Sequence, residues 1–273
     1  MTQYQPLFPS QPDSSVIIGA GACVADSVKI GPWTVIHDGV TLEEGVIIGE
    51  RCTVHSGVVL GVNSRLESDV VLGKPPRPSD QLETIIGSGA TIRRGSTIYS
   101  GNTIGEGLQT GDFARIRHGN QIGRNVSVGA GSEIAFETMI GDEVRMHSGV
   151  AVFEYTQIGN GVWLMPGVSI ANDLFPRNTR FLNGERGREV FQPVVLEDGC
   201  VIGMRATLGP GVRVGQYALV GMGSVVTRNV AEFTLVYGNP AKEKGNVREL
   251  KYRDKDQELV YAHLEKLIEG SKS

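Results

Sequence analysis

An aliphatic side chain returns at every sixth position through most of the chain. From Ile18 onward, these positions hold an unbroken series of residues: Val24, Ile30, Ile36, Leu42, Ile48, Val54, Leu60, Leu66 and Leu72. The same spacing resumes at Ile86 and continues to Ile170, with Thr110 as the single polar member of that run. It resumes once more between Leu196 and Val226.

A period of six fits neither the 3.6 residues of a helical turn nor the two-residue alternation of a free-standing strand. A short strand followed by a turn does fit, and three such units close one triangular coil of a parallel β-helix. The sequence therefore predicts an all-β fold of about ten coils, which form a prism roughly 50 Å long at the ~4.8 Å strand separation. The interruptions at 73–85 and 171–195 are predicted to be inserted loops.

The last part of the chain changes from this period to a helical one. The apolar positions there recur at helical spacing: Leu259, Val260, Leu264, Leu267 and Ile268. A short C-terminal helix would cap the last open coil, as terminal units of repeat proteins commonly do. The predicted organisation is a β-helix over 1–242 and a helical cap over 243–273.

Composition and charge narrow the function. The 37 glycines and the 6% aromatic content suit many turns around a narrow interior. A net charge of −4 argues against a nucleic-acid partner, which usually requires a basic face. No signal sequence or membrane-length apolar run is present, so a cytoplasmic protein without a membrane partner is expected. Cys23, Cys52 and Cys200 lack metal-ligand spacing, and no metal is expected.

Residues 18 apart should align in columns on the outside of the prism, and polar residues concentrate in two of these columns. The first holds Ser100, His118, Phe136, Glu154 and Asn172; the second holds Arg94, Asp112, Ala130 and Ser148. Asn102 and Asn120 should form a short inward ladder. His118 is the sharpest candidate for chemistry, because a neutral imidazole suits a general base. An ordinary exposed histidine is the alternative.

The repeat resembles the left-handed β-helix of hexapeptide-repeat acyltransferases over about 18–242, and that resemblance implies left-handed coils and a homotrimer. The stretch 116–123 around His118 is similar to the catalytic-histidine segment of lipid A acyltransferases and nucleotide-amino-sugar acetyltransferases. Segments 73–76, 110–118, 153–156 and 171–173 resemble the subgroup that acylates amino sugars on nucleotides. Many relatives in that subgroup carry histidine in place of Asp112 and glutamate in place of His118, so His118 is expected as either base or binder.

The resemblance also implies roles for particular residues. The catalytic pair would be His118 and Asp112. The acceptor substrate would contact Arg94, Ser100, Asn120, Glu137, Glu154 and Asn172. Segments 202–208, 225–228 and 238–242 resemble the end of these enzymes that binds coenzyme A, with contacts expected from Gly203, Ala206, Gly221, Arg228 and Lys242. The insertion 74–80 is expected either to close over a nucleotide diphosphate with Arg93 and Arg94 or to be a plain surface loop.

The predicted function is transfer of an acyl group, acetyl in the first instance, from acyl-coenzyme A to the amine of a nucleotide-linked amino-deoxyhexose. The nucleotide is expected to be thymidine diphosphate, and the active sites are expected between the subunits of a homotrimer. Three alternatives stay open: a sugar O-acetyltransferase, a zinc-dependent carbonic anhydrase and a β-helix scaffold without catalysis. The insertion at 171–195 carries several arginines and suits a trimer contact or a neighbouring subunit's ligand.

Overall fold

The computed structural model describes residues 5–8, 15–77, 79–80, 82–177, 179–184, 191–252, 254 and 258–264. Within them the chain forms a parallel β-helix with three sheets, which confirms the predicted all-β coil. Its helical elements are short: Thr179–Leu182 and the 3-10 turn Val247–Glu249, with His263 and Leu264 also helical.

Each sheet is one face of the prism, and consecutive strands pass from face to face. Face 1 contains Gln5–Pro6, Lys29–Ile30, Ile47–Ile48, Arg65–Leu66, Thr91–Ile92, Gln109–Thr110, Ser127–Val128, Arg145–Met146, Trp163–Leu164, Val201–Ile202, Leu219–Val220, Thr234–Gly238 and Ala241–Asn246. Face 2 contains Ile17–Ile18, Val35–Ile36, Thr53–Val54, Val71–Lys74, Thr97–Tyr99, Arg115–Ile116, Glu133–Ile134, Ala151–Val152, Ser169–Ile170, Thr207–Leu208 and Val225–Val226. Face 3 contains Cys23–Val24, Thr41–Leu42, Val58–Leu60, Thr84–Ile86, Thr103–Ile104, Gln121–Ile122, Met139–Ile140, Gln157–Ile158, Val195–Leu196 and Arg213–Val214.

The strands of a face are in parallel register at the predicted spacing. Ile98 lies beside Ile116, and Ile116 lies beside Ile134, with all three side chains fully buried. Burial of each such side chain stabilises the fold by about 1.5–3 kcal/mol. The register resumes across both insertions, where Arg65 pairs with Thr91 and Trp163 pairs with Val201. The insertions therefore leave the stack intact.

The corners need small residues because successive coils pass close to one another there. A Cβ atom added to Gly203 would lie 2.6 Å from the backbone nitrogen of Met222 in the next coil. Gly119 has a φ of 74°, a left-handed conformation that glycine adopts without strain. The close approach at Gly203 explains the glycine that often follows an aliphatic residue, and the left-handed backbone at Gly119 explains the glycine three residues after one.

The predicted inward ladder of asparagines is present. The Asn120 backbone N–H donates to Asn102 Oδ1 at 2.8 Å, and the Thr138 N–H donates to Asn120 Oδ1 at 2.7 Å. Asn120 Nδ2 donates to the Arg117 carbonyl oxygen at 2.7 Å, and the residue is only 1% exposed. The predicted contact of Asn120 with substrate is therefore wrong, because both ends of its amide are used inside the prism.

The C-terminal end departs from the simple prism. Thr234–Gly238 continues face 1 in parallel, and Ala241–Asn246 folds back on it as an antiparallel strand. Face 1 therefore has 12 parallel strands, and the stack is somewhat longer than the predicted ten coils. This last strand also runs across the predicted boundary at 242. Of the predicted helical positions, Leu267 and Ile268 lie outside the described residues, and Leu259 forms an antiparallel bridge with Lys251.

The asparagine ladder generates a stability prediction. Asn120→Ala should lower the free energy of unfolding by roughly 2–4 kcal/mol, because it leaves the Thr138 N–H and the Arg117 carbonyl buried without partners. Urea unfolding followed by circular dichroism measures the change. Gln121→Ala, an exposed neighbour, is the control and should change stability by less than about 0.5 kcal/mol. Equal stability of the two variants would contradict the structural role.

Candidate active site

The predicted column around His118 lies along one edge of the prism. We call this edge 2–3, because its residues follow the strands of face 2 and lead into face 3. His118 follows Ile116, and the strands at 116, 134, 152 and 170 are consecutive neighbours in face 2. The register therefore places the first column, from Ser100 to Asn172, along a single edge.

His118 is packed against aromatic rings on this edge. Its ring stacks on Phe136 with centroids 5.0 Å apart and an interplanar angle of 11°. Phe136 in turn meets the buried Tyr155 edge to face at 5.6 Å. His118 Nδ1 is buried and has no hydrogen-bond partner among the described residues, which leaves Nε2 as the nitrogen that can meet a ligand.

This environment lowers the pKa of His118 below its ordinary value of 6.5. Burial is the largest cause, because it penalises the charged imidazolium, and the positive charge of Arg117 acts in the same direction. Glu137 and Asp80 oppose the shift. The ring is therefore neutral at neutral pH, which is the state that a general base requires.

A carboxylate and an amide lie further along the same edge. Asn172 Nδ2 donates to Glu154 Oε2 at 2.9 Å, and Asn172 is 6% exposed. Glu137 is exposed one coil beyond His118, and its N–H donates to the His118 carbonyl oxygen at 3.1 Å. The predicted acceptor contacts Glu137, Glu154 and Asn172 thus share one edge with His118.

Ser100 lies on the same edge but is inaccessible. It is 1% exposed, and its N–H donates to the Lys74 carbonyl oxygen at 2.9 Å. Its Oγ is buried and has no hydrogen-bond partner in the described part of the chain. The predicted contact between the Ser100 hydroxyl and a substrate is not available in this structure. Lys74, at the start of the first insertion, pairs with Tyr99 and covers this position.

The second predicted column lies on a different edge, which follows face 1 and which we call edge 1–2. Asp112 is exposed there, two residues after Thr110 of face 1, and it makes no hydrogen bond to His118. Arg94 Nε lies 3.4 Å from Asp69, and Arg93 Nη1 lies 3.3 Å from Glu67. The predicted grouping of Arg93 and Arg94 with the first insertion is therefore wrong, because these arginines pair with carboxylates on the other edge.

The structure adds a cluster that the sequence reasoning missed. Lys74 Nζ lies 5.5 Å from the centroid of the Tyr99 ring, and Arg117 Cζ lies 5.3 Å from it. Tyr99 directly precedes Ser100, and Arg117 directly precedes His118. Tyr99 and Arg117 are thus 18 residues apart, and this spacing in the sequence could have shown that they are neighbours. Lys74 joins them because its strand pairs with Thr97–Tyr99 through a shift in register.

The residues expected to bind coenzyme A are divided between locations. Gly203 and Gly221 lie on edge 1–2, and Arg228 lies exposed on edge 2–3. Lys242 is exposed on the C-terminal hairpin, where it pairs with Tyr237. Ala206, also expected to contact coenzyme A, is fully buried in the prism.

Arg228 lies on the same edge as His118, and the separation between them can be compared with the length of coenzyme A. The face-2 strands at 116, 134, 152, 170, 208 and 226 are successive neighbours. Five strand spacings separate the two residues, or about 24 Å along the edge. An extended pantetheine arm with its diphosphate can cover such a span, so Arg228 fits the far end of a bound coenzyme A.

An open groove of 760 Å³ runs along face 3 and the edge that follows it. Its floor includes Gln121, Met139 and Gln157, and its far wall includes Asp142 and Asn160. Met139 is 50% exposed. The lining of the groove includes neither His118 nor another residue of edge 2–3.

The repeat itself matches a known family model. Residues 39–74 and 193–228 match the hexapeptide repeat of succinyl-transferase. The chain is a hexapeptide-repeat β-helix. No helix in the part of this β-helix that the structure describes is long and apolar enough to cross a membrane.

Two curated relatives are similar over short segments. One is a dTDP-3-amino-3,6-dideoxy-alpha-D-galactopyranose 3-N-acetyltransferase from Aneurinibacillus thermoaerophilus, 44% identical over 22% of this chain and 31% of the relative. The other is a 2,3,4,5-tetrahydropyridine-2,6-dicarboxylate N-acetyltransferase from Staphylococcus aureus, 41% identical over 26% of this chain and 28% of the relative. The matched segments thus span about a third of each relative's length.

Among solved structures, a UDP-N-acetylglucosamine acyltransferase from Campylobacter jejuni is 18% identical with a TM-score of 0.45, covering 95% of this chain and 82% of its own. A polySia specific acetyltransferase is 15% identical with a TM-score of 0.43, covering 93% and 99%. Both likenesses are too distant to bear on function.

The environment of His118 generates a pH prediction. NMR titration of its ring should give a pKa below 6.5, and Phe136→Ala should move that pKa back towards 6.5 by exposing the ring. Because the unfolded chain binds this proton more readily, the contribution of His118 to stability should be complete above pH 6.5 and should decline as the pH falls below it. His118→Asn assigns the resonance. An unshifted pKa in the wild type would contradict the burial argument.

Proposed function

We propose that this protein transfers an acyl group from acyl-coenzyme A to the amine of a nucleotide-linked amino-deoxyhexose. The observation that carries the proposal is a neutral, partly buried His118 on the same edge as a hydrogen-bonded carboxylate and amide. The names of the two curated relatives support amine acylation, because both are N-acetyltransferases. The first relative supports a thymidine diphosphate sugar as the acceptor.

In the proposed reaction the acceptor amine attacks the thioester carbonyl carbon. A carbon–nitrogen bond forms, the carbon–sulfur bond breaks, and the products are an amide and free coenzyme A. His118 Nε2 takes the proton that the amine loses and then releases it to the departing thiolate. The lowered pKa of His118 keeps Nε2 unprotonated and available as a base at neutral pH, and it favours release of the proton to the thiolate.

The acceptor sugar would lie along edge 2–3. Glu154 can accept hydrogen bonds from sugar hydroxyls while Asn172 holds its carboxylate in place at 2.9 Å. Glu137 is exposed close to His118 and can attract a protonated amine before it loses its proton. These roles need no movement of the coils, because the backbone ladder already fixes all three residues on one edge.

The acyl donor would extend from His118 towards the C-terminal coils. Arg228 lies on the same edge, about 24 Å from His118, and its guanidinium suits a phosphate group. Lys242 on the hairpin is a second exposed cation near that end. With the donor's phosphates held there, its thioester would lie beside His118.

We further propose a homotrimer with active sites between subunits. Asp112 and His118 lie on different edges of the same chain, so they meet only if edge 1–2 of one copy faces edge 2–3 of another. In that arrangement the negative charge of Asp112 would stabilise the His118 imidazolium that forms when Nε2 takes the proton.

Removal of the base should abolish most of the activity. His118→Ala should lower kcat for amine acylation by about 10²–10⁴-fold, with little change in coenzyme A binding. The assay measures thiol release from acetyl-coenzyme A with a panel of nucleotide amino sugars and hydroxyl analogues. His263→Ala, which removes an exposed histidine near the C-terminal end, is the control and should keep wild-type turnover. Unchanged turnover in His118→Ala would exclude its role as the base.

Mixed trimers test the shared site. His118→Ala and Asp112→Ala should each be inactive alone, whereas a trimer that contains both variants retains one intact interface. Co-expression with two affinity tags and isolation of the mixed species should therefore restore about one third of wild-type activity. Full activity of Asp112→Ala alone, or no recovery on mixing, would contradict a site that pairs these residues across copies.

A further inference from the structure

Two cations converge on one aromatic ring beside the proposed base. The Tyr99 ring has Lys74 Nζ at 5.5 Å and Arg117 Cζ at 5.3 Å, and Arg117 is the residue immediately before His118. Cation–π contact of this kind holds a positive charge in place without neutralising it. The cluster therefore presents two oriented positive charges at the start of the His118 column.

The carboxylates nearby leave this charge largely uncompensated. Lys74 makes no ion pair with any residue that the structure describes. Arg117 Nη1 lies 3.9 Å from Glu133, which is closer to Arg115 at 3.3 Å. Arg117 Nε is buried and has no hydrogen-bond partner among the described atoms.

The first insertion contributes one more cation and one more carboxylate. Arg77 is 82% exposed on its side chain and lies 3.9 Å from Asp80, and the charges of both residues act on His118. Because these two charges cancel, the net positive charge comes from Lys74 and Arg117. Like charges held this close repel one another, and a bound anion would relieve that repulsion.

We infer that Lys74, Tyr99 and Arg117 form the subsite for the diphosphate of the acceptor nucleotide sugar. The inference rests on the proposed function and adds the residues that recognise the acceptor. The ammonium of Lys74 supplies a point charge, and the guanidinium of Arg117 supplies paired donors for phosphate oxygens. The Tyr99 ring contacts both cations and so ties them to the start of the His118 column.

The diphosphate of the acceptor and the diphosphate of coenzyme A should bind at different distances from His118. In an amino-deoxyhexose nucleotide the diphosphate lies one sugar ring from the amine, so it must bind close to His118. The diphosphate of coenzyme A lies a whole pantetheine arm from the thioester, so it must bind far from His118. Lys74 and Arg117 fit the near position, and Arg228 lies on the opposite side of His118, about 24 Å away.

Isothermal titration calorimetry with thymidine diphosphate, inorganic pyrophosphate and coenzyme A tests the assignment on the full chain. Lys74→Gln and Arg117→Gln should each weaken binding of thymidine diphosphate and pyrophosphate by about tenfold, which corresponds to about 1.4 kcal/mol. Both variants should bind coenzyme A as the wild type does. Arg228→Gln should show the reverse, with weaker coenzyme A binding and unchanged binding of thymidine diphosphate.

The chain offers a matched control in a second lysine–tyrosine contact. Lys244 Nζ lies 5.1 Å from the Tyr237 ring on the C-terminal hairpin, so Lys244→Gln removes an equivalent cation–π contact far from His118. It should leave binding of thymidine diphosphate unchanged. Tyr99→Phe should bind like the wild type, whereas Tyr99→Leu should weaken diphosphate binding. Thermal unfolding of each variant shows that the fold is retained.

Three results would overturn the subsite. They are no binding of thymidine diphosphate or pyrophosphate to the wild type, unchanged diphosphate affinity in Lys74→Gln and Arg117→Gln, or a loss of coenzyme A affinity instead. These outcomes are distinguishable from failure of the proposed function. A protein that acylates amino sugars without this diphosphate preference refutes only the subsite, and one that binds diphosphate here without acyl transfer refutes only the activity.

Discussion

The backbone hydrogen bonds between successive coils are the constraint on which the rest of this structure depends. Each short strand donates to the coil that follows it, as when the Arg117 N–H reaches the Ile134 carbonyl oxygen at 2.8 Å. Strands of two or three residues have little stability alone, so each coil is held by its neighbours. Within an uninterrupted run of coils, residues that are 18 apart in sequence therefore occupy the same position in successive coils.

This constraint divides the side chains into two groups with different chemistry. Inward positions must be apolar or must satisfy their polar atoms inside the prism, as Asn102 and Asn120 do. Outward positions align in columns, so functional groups far apart in sequence come together along an edge. His118, Glu154 and Asn172 share one edge for this reason, and the coil geometry holds them without any loop that has to close.

The edge also gives the proposed reaction a direction. The diphosphate subsite lies on the N-terminal side of His118, and the cation suited to coenzyme A lies on the C-terminal side. The two diphosphates then bind on opposite sides of one base. The stacking of His118 on Phe136 contributes to this arrangement, because it buries the ring and keeps it neutral.

The sequence by itself determined the coil, the register and the columns, because a six-residue period admits no other regular structure and backbone pairing repeats it faithfully. It placed Asn120 both in an inward ladder and at a ligand, and only the structure showed that the Asn120 amide is used inside the prism and that Ala206 is buried. It also did not determine neighbours across the insertions. Lys74 joined Tyr99 and Arg117, and Arg93 and Arg94 paired with Glu67 and Asp69, because the path of an aperiodic loop depends on tertiary contacts that no repeat encodes.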